Sequence, residues 1–205
     1  MMRDTPTVLS PEHLTPHLMG GGVAVIPTDT VVGLAVAPVW ASRIWRLKRR
    51  PADKPLILMG ASTDALLDQV CVDCHDDAQR LAVKFWPGAL TLVLPAQGQV
   101  QDALNPGGSS LGVRIPDCEL TQLLLDRTGP LATSSANPSG EPSAMTAMAA
   151  SSYFPDLPLL GPQPWPKVSG QASTVIAWTS PGCWQLLRQG AVMVDVIERS
   201  PPCSG

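Results

Sequence analysis

Short runs rich in apolar residues alternate with segments of helical spacing along most of the chain. The runs predict buried strands at 23–26, 31–36, 56–59, 90–94, 111–115, 174–178 and 184–188, and a further strand from Leu131. Helical spacing predicts helices at 9–19, 62–70, 75–85, 117–127 and 144–153, and another that runs from Trp40 until Pro51 ends it. Strands interleaved with helices predict an α/β domain built on a single twisted mixed or parallel sheet with flanking helices.

The length of the chain limits the number of domains. With 205 residues, of which 44% are hydrophobic, the chain is most simply one domain with a substantial core. Neither an internal repeat nor a shift in composition marks a second domain. We expect the folded domain to occupy 1–195 and the last residues, 196–205, to form a flexible C-terminal tail.

Several features of the sequence argue against export and against a membrane. Residues 1–22 lack the charged segment and following apolar segment of a signal peptide, and no apolar run approaches the length of a membrane span. Five cysteines, an odd number, do not resemble the disulfide framework of a small secreted domain. These features predict a cytoplasmic protein with no membrane partner.

Basic residues are concentrated in one segment of a mildly acidic chain. The net charge of −3 and the pI of about 5.5 exclude a global positive field that would recruit nucleic acid. Six of the fourteen basic residues nevertheless lie within twelve positions: Arg43, Arg46, Lys48, Arg49, Arg50 and Lys54. Cations at the end of a helix also complement its dipole, but six that repel one another favour an anionic ligand.

The segment Leu131–Ser143 passes from apolar residues into hydroxyls, an amide, a glycine and two prolines. This pattern predicts a strand that runs into a rigid loop rich in hydrogen-bond donors. Backbone N–H groups held in such a loop form a concave site for anions, although the same composition is also typical of an ordinary surface loop.

Polar residues recur where buried strands end. The loop Pro27–Gly33 directly follows a strand, where α/β sheets place their ligands, although a tight strand connection would look the same. Arg114 lies inside an apolar strand, so its guanidinium must meet an anion, either a ligand or a structural salt-bridge partner. Ser173 and Arg188 repeat the pattern of donors at strand ends.

Some chemistries are not indicated. The chain contains neither the G-x-x-x-x-G-K-[ST] phosphate loop nor the G-x-G-x-x-G dinucleotide fingerprint, and it has only three histidines. Cys71–His75 has the C-x-x-C-H spacing of haem attachment, but no second cysteine pair accompanies it as a zinc site would require. We interpret that spacing as chance and predict no metal site.

Motifs in a fixed order resemble the YrdC-like family of threonylcarbamoyl-AMP synthases over roughly residues 15–192. They are P-T-[DE]-T-x-x-G-L at Pro27–Leu34, K-x-R-P at Lys48–Pro51, P-L-I at Pro55–Ile57, W-P-G-x-[LV]-T at Trp86–Thr91, V-R-x-P at Val113–Pro116, S-A-N-x-S-G-x-P-S at Ser135–Ser143, S-T-V at Ser173–Val175 and L-R-x-G at Leu187–Gly190. The chain departs from the pattern at Val32, Lys54 and Met59, where many relatives carry Tyr, Asn and His.

The resemblance implies a twisted α/β sheet with a deep basic cleft and the activity of a nucleotidyltransferase. Such enzymes condense L-threonine, bicarbonate and ATP into threonylcarbamoyl-AMP and pyrophosphate with Mg²⁺. A separate threonylcarbamoyl transferase complex then modifies adenosine 37 of tRNA, and weak binding of tRNA to the same cleft is a further expectation. The alternatives are an RNA-binding module without catalysis and a catalytically altered paralogue of the same fold.

The resemblance also assigns residues. Lys48 and Arg50 are the implied catalytic residues and face the ATP phosphates. The remaining implied ATP contacts are Lys54, Ser110, Ser135, Asn137, Ser143 and Arg188. Arg114 is expected to hold the threonine carboxylate, with Thr30, Thr133 and Ser173 around the amino acid.

Overall fold

The computed structural model describes residues 6–51 and 54–193, so the tail predicted at 196–205 lies outside the described residues. The strands are β1 (Val8–Leu9), β2 (Ala24–Ile26), β3 (Gly33–Val36), β4 (Ile57–Met59), β5 (Leu90–Pro95), β6 (Ser110–Arg114), β7 (Leu131–Ser135), β8 (Leu159–Leu160), β9 (Thr174–Ser180) and β10 (Cys183–Arg188). The helices are α1 (Pro11–Met19), α2 (Ser42–Lys48), α3 (Thr63–Leu67), α4 (His75–Phe85), α5 (Gln99–Leu104), α6 (Glu119–Thr128) and α7 (Ala147–Tyr153). Two short 3-10 helices lie at Pro38–Trp40 and Val72–Cys74.

The strands pair into one sheet in the order β1-β8-β2-β3-β7-β4-β6-β5-β9-β10. Four pairs are parallel, namely β1–β8, β2–β8, β4–β6 and β5–β9, and the others are antiparallel. The sheet is therefore mixed, which is one of the two arrangements that the sequence predicts. The strands that carry the motifs are neighbours at the centre of the sheet: β3, β7, β4, β6 and β5. The predicted ligand loops at their ends therefore lie close together.

Both faces of the sheet are covered by helices. In β2, Val25 belongs to the apolar cluster on one face, and Ala24 and Ile26 belong to the cluster on the other. This alternation is what a strand with a two-residue side-chain period requires when both of its faces are buried. The smaller cluster contains Leu14 of α1 and Leu124 of α6, and the larger one receives residues from α2, α3, α4, α5 and α7.

Helix boundaries follow their capping residues. The side chain of Ser10 accepts from the backbone N–H of His13, so α1 begins at Pro11, whereas Leu9, predicted to be helical, lies in β1. Helix α2 ends at Lys48 and does not continue to Pro51, because Arg49 adopts a left-handed conformation with a φ of 51°.

Three elements have no counterpart among the predictions. Strands β1 and β8 are two residues each and pair in parallel, with Val8 opposite Leu159, so no local turn announces them. Strand β8 lies within the proline-rich stretch 155–166, where no strand is predicted. Helix α5 follows Gly98 without a side-chain cap, so it lacks the usual sign of a helix start.

Within 6–51 and 54–193, no helix is both long enough and apolar enough to cross a bilayer.

Candidate functional site

A cavity of about 220 Å³ opens where the central strands end. Its lining includes eight of the residues predicted for the site: Thr30, Arg50, Arg114, Thr133, Ser135, Ser143, Ser173 and Arg188. Three of these are arginines, and no Asp or Glu belongs to the lining drawn from the described residues. The cavity therefore offers positive charge and hydroxyl groups to an anionic ligand.

Four predicted residues do not belong to this lining. Lys48 and Asn137 are buried behind it, Lys54 is exposed, and Ser110 is partly exposed at the start of β6. Their assignment to ATP stays a prediction. Of the other departures from the family pattern, Met59 lines the cavity, and Val32 is buried outside it.

Arg114, the last residue of β6, is held from three sides. Its side chain is 3% exposed. Its Nε donates to the carbonyl oxygen of Gly88 at 2.8 Å, one terminal nitrogen donates to Thr30 Oγ1 at 3.0 Å, and the other donates to Asp29 Oδ1. The sequence left open whether Arg114 meets a ligand or a salt-bridge partner, and in the structure it lines the cavity while paired with Asp29.

The fork of Arg114 retains donors for a ligand. A guanidinium has five N–H groups, so three hydrogen bonds leave one N–H on each terminal nitrogen. Burial lowers the pKa of Arg114, and the charge of Asp29 opposes that shift. A buried, charged guanidinium with one N–H on each terminal nitrogen matches the two oxygens of a carboxylate.

Lys48 anchors the loop at 135–143, called the Ser-rich loop. Its side chain is almost fully buried, and its Nζ donates to the carbonyl oxygens of Ser135 and Asn137, the latter at 2.7 Å. Ser135 Oγ and Asn137 Oδ1 each lie 3.3 Å from the same nitrogen. The backbone N–H of Ser139 donates in turn to the carbonyl oxygen of Lys48 at 2.8 Å. The end of α2 and the loop are therefore fixed to each other.

The left-handed Arg49 separates two inward-facing cations. After Arg49 reverses the chain, Arg50 enters the cavity wall, where a terminal nitrogen lies 3.4 Å from Ser134 Oγ. Arg49 itself is exposed and is not among the lining residues of the cavity. This agrees with the variable position that Arg49 occupies in K-x-R-P.

Burial changes the titration of Lys48. Loss of hydration, and secondarily the charge of Arg50, lower its pKa from the usual 10.5 to about 8. Since a neutral amine has fewer N–H donors than an ammonium group, deprotonation would weaken the anchor of the loop.

We expect activity to decline above about pH 8, as Lys48 loses its proton. The free energy of unfolding should rise over the same pH range. Between pH 8 and 10.5 the unfolded chain holds a proton that the folded protein has released, so raising the pH favours the folded protein. Parallel pH profiles of kcat/KM for ATP and of thermal stability test this. In Lys48→Arg, which stays charged, the alkaline decline should disappear, and a decline that persists would assign it to another group.

Arg188 of β10 is joined to Ser173, which also lines the cavity. Its Nε and one terminal nitrogen donate to the Ser173 carbonyl oxygen at 3.1 and 2.9 Å, and that terminal nitrogen lies 3.2 Å from Ser173 Oγ. The L-R-x-G glycine is needed here, because a Cβ on Gly190 would lie 2.2 Å from the Ala172 carbonyl oxygen. Gly190 thus permits the close packing that brings Arg188 to Ser173.

Sequence reasoning missed two groups that shape the site. Thr28 Oγ1 lies 3.1 Å from Thr30 Oγ1 and donates to the Val31 carbonyl oxygen at 2.6 Å, so it fixes the loop that carries Thr30. Asp29 pairs with Arg114 across 85 positions of the chain. Thr28 and Asp29 both lie in the P-T-D-T motif, which was the sequence signal that could have identified them.

The C-x-x-C-H segment does not form a metal cluster. Among the described residues, no three His, Cys, Asp or Glu side chains lie together as ligands of one ion. Cys74 is buried, its thiol donates to the Cys71 carbonyl oxygen at 3.0 Å, and burial raises its pKa to about 11. Cys71 and Cys74 carry free thiols, whereas Cys183 is disulfide-bonded.

We expect the double substitution Cys71→Ser and Cys74→Ser to leave activity within about twofold of the starting protein. A serine hydroxyl can make the same hydrogen bond to the Cys71 backbone, and its burial should cost stability only on the order of 1–2 kcal/mol. Steady-state kinetics and a thermal melt check this. A large loss of activity without unfolding would show that the thiols take part in function.

The sequence is similar to that of known proteins. The Sua5/YciO/YrdC family model, described as telomere recombination, matches residues 17–190. Threonylcarbamoyl-AMP synthase of Pyrococcus abyssi is 35% identical over 186 residues, which are 87% of this chain and 53% of that protein. The enzyme of the same name from Pseudomonas aeruginosa is 36% identical over 66% of this chain and 75% of its own length.

Solved structures show the same fold. P. abyssi Sua5 complexed with L-threonine superposes with a TM-score of 0.85 at 30% identity, over 96% of this chain and 60% of that one. Escherichia coli YciO, with a TM-score of 0.76 and 23% identity over 92% of this chain and 94% of its own, shares the fold alone. The chain thus spans about half the length of the P. abyssi synthase. Because the family model covers nearly the whole described chain, this protein belongs to the Sua5/YciO/YrdC family.

Proposed function

We propose that this protein is an L-threonylcarbamoyladenylate synthase, which condenses L-threonine, bicarbonate and ATP into threonylcarbamoyl-AMP and pyrophosphate. The observation that carries the proposal is the position of the buried Arg114 fork in the same cavity as Arg50 and Arg188. One cavity thus offers a carboxylate site beside a phosphate site. Relatives that bear the name of this enzyme, and a Sua5 structure with L-threonine bound, support the same assignment.

The amino acid would occupy the Arg114 side of the cavity. The two remaining N–H groups of the Arg114 fork would bind the carboxylate, while Thr30, Thr133 and Ser173 surround the rest of threonine. The hydroxyl of Thr133 donates to the Ile57 carbonyl oxygen at 3.0 Å, so its lone pairs remain available to a ligand. Three hydroxyls of this kind suit the amine and hydroxyl groups of threonine.

The triphosphate would lie beside the amino acid in the same cavity. Arg50 and Arg188 supply positive charge there, and Ser135 and Ser143 supply hydroxyls. Lys48 acts in this proposal chiefly by holding the loop that carries Ser135. Lys54, Ser110 and Asn137 remain proposed contacts of ATP.

The chemistry asks the protein for positioning and charge neutralisation. The neutral amine of threonine adds to bicarbonate-derived CO₂ and releases a proton to water, which gives a carbamate. A carbamate oxygen then attacks the α-phosphorus of ATP. The new P–O bond forms as the bond from the α-phosphorus to the bridging oxygen breaks, and pyrophosphate leaves with that electron pair. Guanidinium groups aimed at the phosphates lower the barrier by stabilising the negative charge on the phosphate oxygens. This makes the reaction a nucleotidyl transfer.

Mg²⁺ is expected as a companion of ATP. Among the described residues, no three carboxylate, imidazole or thiolate groups lie together as ligands of one ion. Mg²⁺ commonly binds proteins through substrate phosphates and retained water molecules, and the cation-lined cavity fits an ion carried in by the triphosphate. When bound, it would neutralise part of the phosphate charge.

The product requires a second enzyme. We propose that threonylcarbamoyl-AMP passes in the cytoplasm to a tRNA-modifying transferase complex that forms N6-threonylcarbamoyladenosine at position 37. Weak tRNA binding at the cleft remains part of the proposal, although the net charge of −3 disfavours extended contact with phosphates.

Pyrophosphate release tests the proposed function. Purified protein is incubated with ATP and Mg²⁺, and threonine and bicarbonate are each added or withheld. We expect release only when both are present, together with an adenylated threonine carbamate in the mass spectrum. If the folded protein binds ATP without any release, the synthase is excluded and the altered paralogue becomes the better assignment. Steeply salt-dependent RNA binding without turnover would instead identify an RNA-binding module.

A further inference from the structure

Thr91 is a polar residue in a strand that otherwise favours apolar side chains. Strand β5 reads Leu-Thr-Leu-Val-Leu-Pro, and Thr91 is 0% exposed. Valine has the same shape and, without a hydroxyl to desolvate, would suit such a position better if packing alone decided. The hydroxyl of Thr91 therefore needs an explanation.

The hydroxyl of Thr91 is hydrogen-bonded to a residue that lines the cavity. Thr91 Oγ1 lies 2.8 Å from Ser173 Oγ, and this is its one hydrogen bond among the described residues. Ser173 lines the cavity and accepts from Arg188, whereas Thr91 lies behind the lining. Val175, the partner of Thr91 in the β5–β9 ladder, also belongs to the cavity wall. Thr91 thus contacts the site through Ser173.

The hydroxyl of Ser173 has a limited capacity for hydrogen bonds. A serine hydroxyl has one proton to donate and two lone pairs, and the Arg188 fork occupies one lone pair. If Ser173 donates its proton to Thr91, its second lone pair is left for an N–H group of a ligand. If Thr91 donates to Ser173, both lone pairs are used and the Ser173 proton can point to a ligand oxygen.

We infer that Thr91 is a positioning residue that lets Ser173 exchange these two roles during the reaction. The inference rests on the proposed function. We place the amine of threonine beside Ser173, so the neighbouring group would be first an amine with N–H donors and then a carbamate with oxygen acceptors. Either member of the Thr91–Ser173 pair can be the donor. Rotation of two hydroxyl groups therefore adapts the site to both species without moving the backbone.

Thr91→Val is the central test because it removes the hydroxyl and keeps the shape of the side chain. The Kd of threonine, measured by calorimetry, should rise about fivefold, the ratio expected for one lost hydrogen bond. The KM of ATP should change much less, because Arg188 keeps its hydrogen bonds to the Ser173 carbonyl oxygen. Thr91→Ser, which restores a hydroxyl, should recover threonine binding.

Thr128→Val is the matched control. The hydroxyl of Thr128 bonds only backbone carbonyl groups at the end of α6, and Thr128 is not among the cavity residues. Its loss should leave threonine binding unchanged. Thermal melts of all variants report folding, and Thr91→Ala serves in place of Thr91→Val if that variant does not fold.

A double-mutant cycle separates positioning from a general structural effect. If Thr91 acts through Ser173, adding Thr91→Val to Ser173→Ala should weaken threonine binding no further than Ser173→Ala alone. Additive losses, or a lower melting temperature with unchanged threonine Kd, would overturn the inference. If the unmodified protein binds no threonine, the proposed function itself fails. If that protein binds threonine and Thr91→Val binds it equally well, only the role of Thr91 is refuted.

Discussion

Arg114→Ala is expected to raise the KM of threonine about 100-fold while changing the KM of ATP less than about fivefold, since losing one partner of a buried charge pair costs about 2–5 kcal/mol. The guanidinium proposed to bind the carboxylate is lost, whereas Arg50 and Arg188, which are proposed to contact the phosphates, remain in the cavity. Pyrophosphate-release kinetics with each substrate varied in turn give both constants.

The Arg114 experiment needs a control for stability, because the substitution leaves Asp29 without its cationic partner. Arg114→Lys keeps a positive charge for Asp29 but loses the planar fork, so it should fold well and still bind threonine poorly. Equal effects of Arg114→Ala on both substrates, or no effect on either, would remove Arg114 from the threonine site. Melting temperatures of both variants show whether the kinetic losses follow from unfolding.

Lys48→Met is expected to reduce kcat/KM for ATP by about two to three orders of magnitude, in keeping with the loss of a buried group that holds a charged binding loop. Without the ammonium, the carbonyl oxygens of Ser135 and Asn137 lose the donor that they share. The loop should become mobile, so the phosphate side of the cavity should lose its shape. Kinetics with ATP varied, and hydrogen exchange across 135–143, measure the two effects.

Arg49→Met is the matched control for Lys48→Met. It removes a neighbouring basic residue whose side chain is exposed and is not among the cavity residues, so activity should be nearly unchanged. If both variants lose activity equally, the effect comes from the general charge of the segment. If Lys48→Met retains activity while its loop stays protected from exchange, the anchoring role is refuted.

The positions of most strands along the chain could be predicted from apolar runs. The run at 111–115 corresponds to Ser110–Arg114, and the run at 90–94 corresponds to Leu90–Pro95. These strands are central and buried, so their composition carries a clear signal. Strands β1 and β8 were not predicted, because each is too short to show the two-residue alternation of a strand. Their pairing also depends on a partner far away in the sequence.

The sequence predicted most of the residues that line the cavity but not the contacts between them. Ordered motifs pointed to Arg114 and Ser173, which do line one cavity. Their partners Asp29 and Thr91 lie 85 and 82 positions away, and no local pattern reports a contact at that separation. The sequence also could not tell which cation of the basic segment is buried, because that depends on the left-handed turn at Arg49.

The three-sided support of Arg114 has a consequence for the folding of the chain. Its guanidinium is held by Gly88 and by Asp29 and Thr30, which come from segments far apart in the sequence. Such contacts of large sequence separation form late and slowly, because loop closure must come first. A partly folded chain that lacks any one of these segments has no complete carboxylate clamp. Under the proposed function, binding of the amino acid would therefore require that the segments carrying Gly88, Asp29 and Arg114 have already come together.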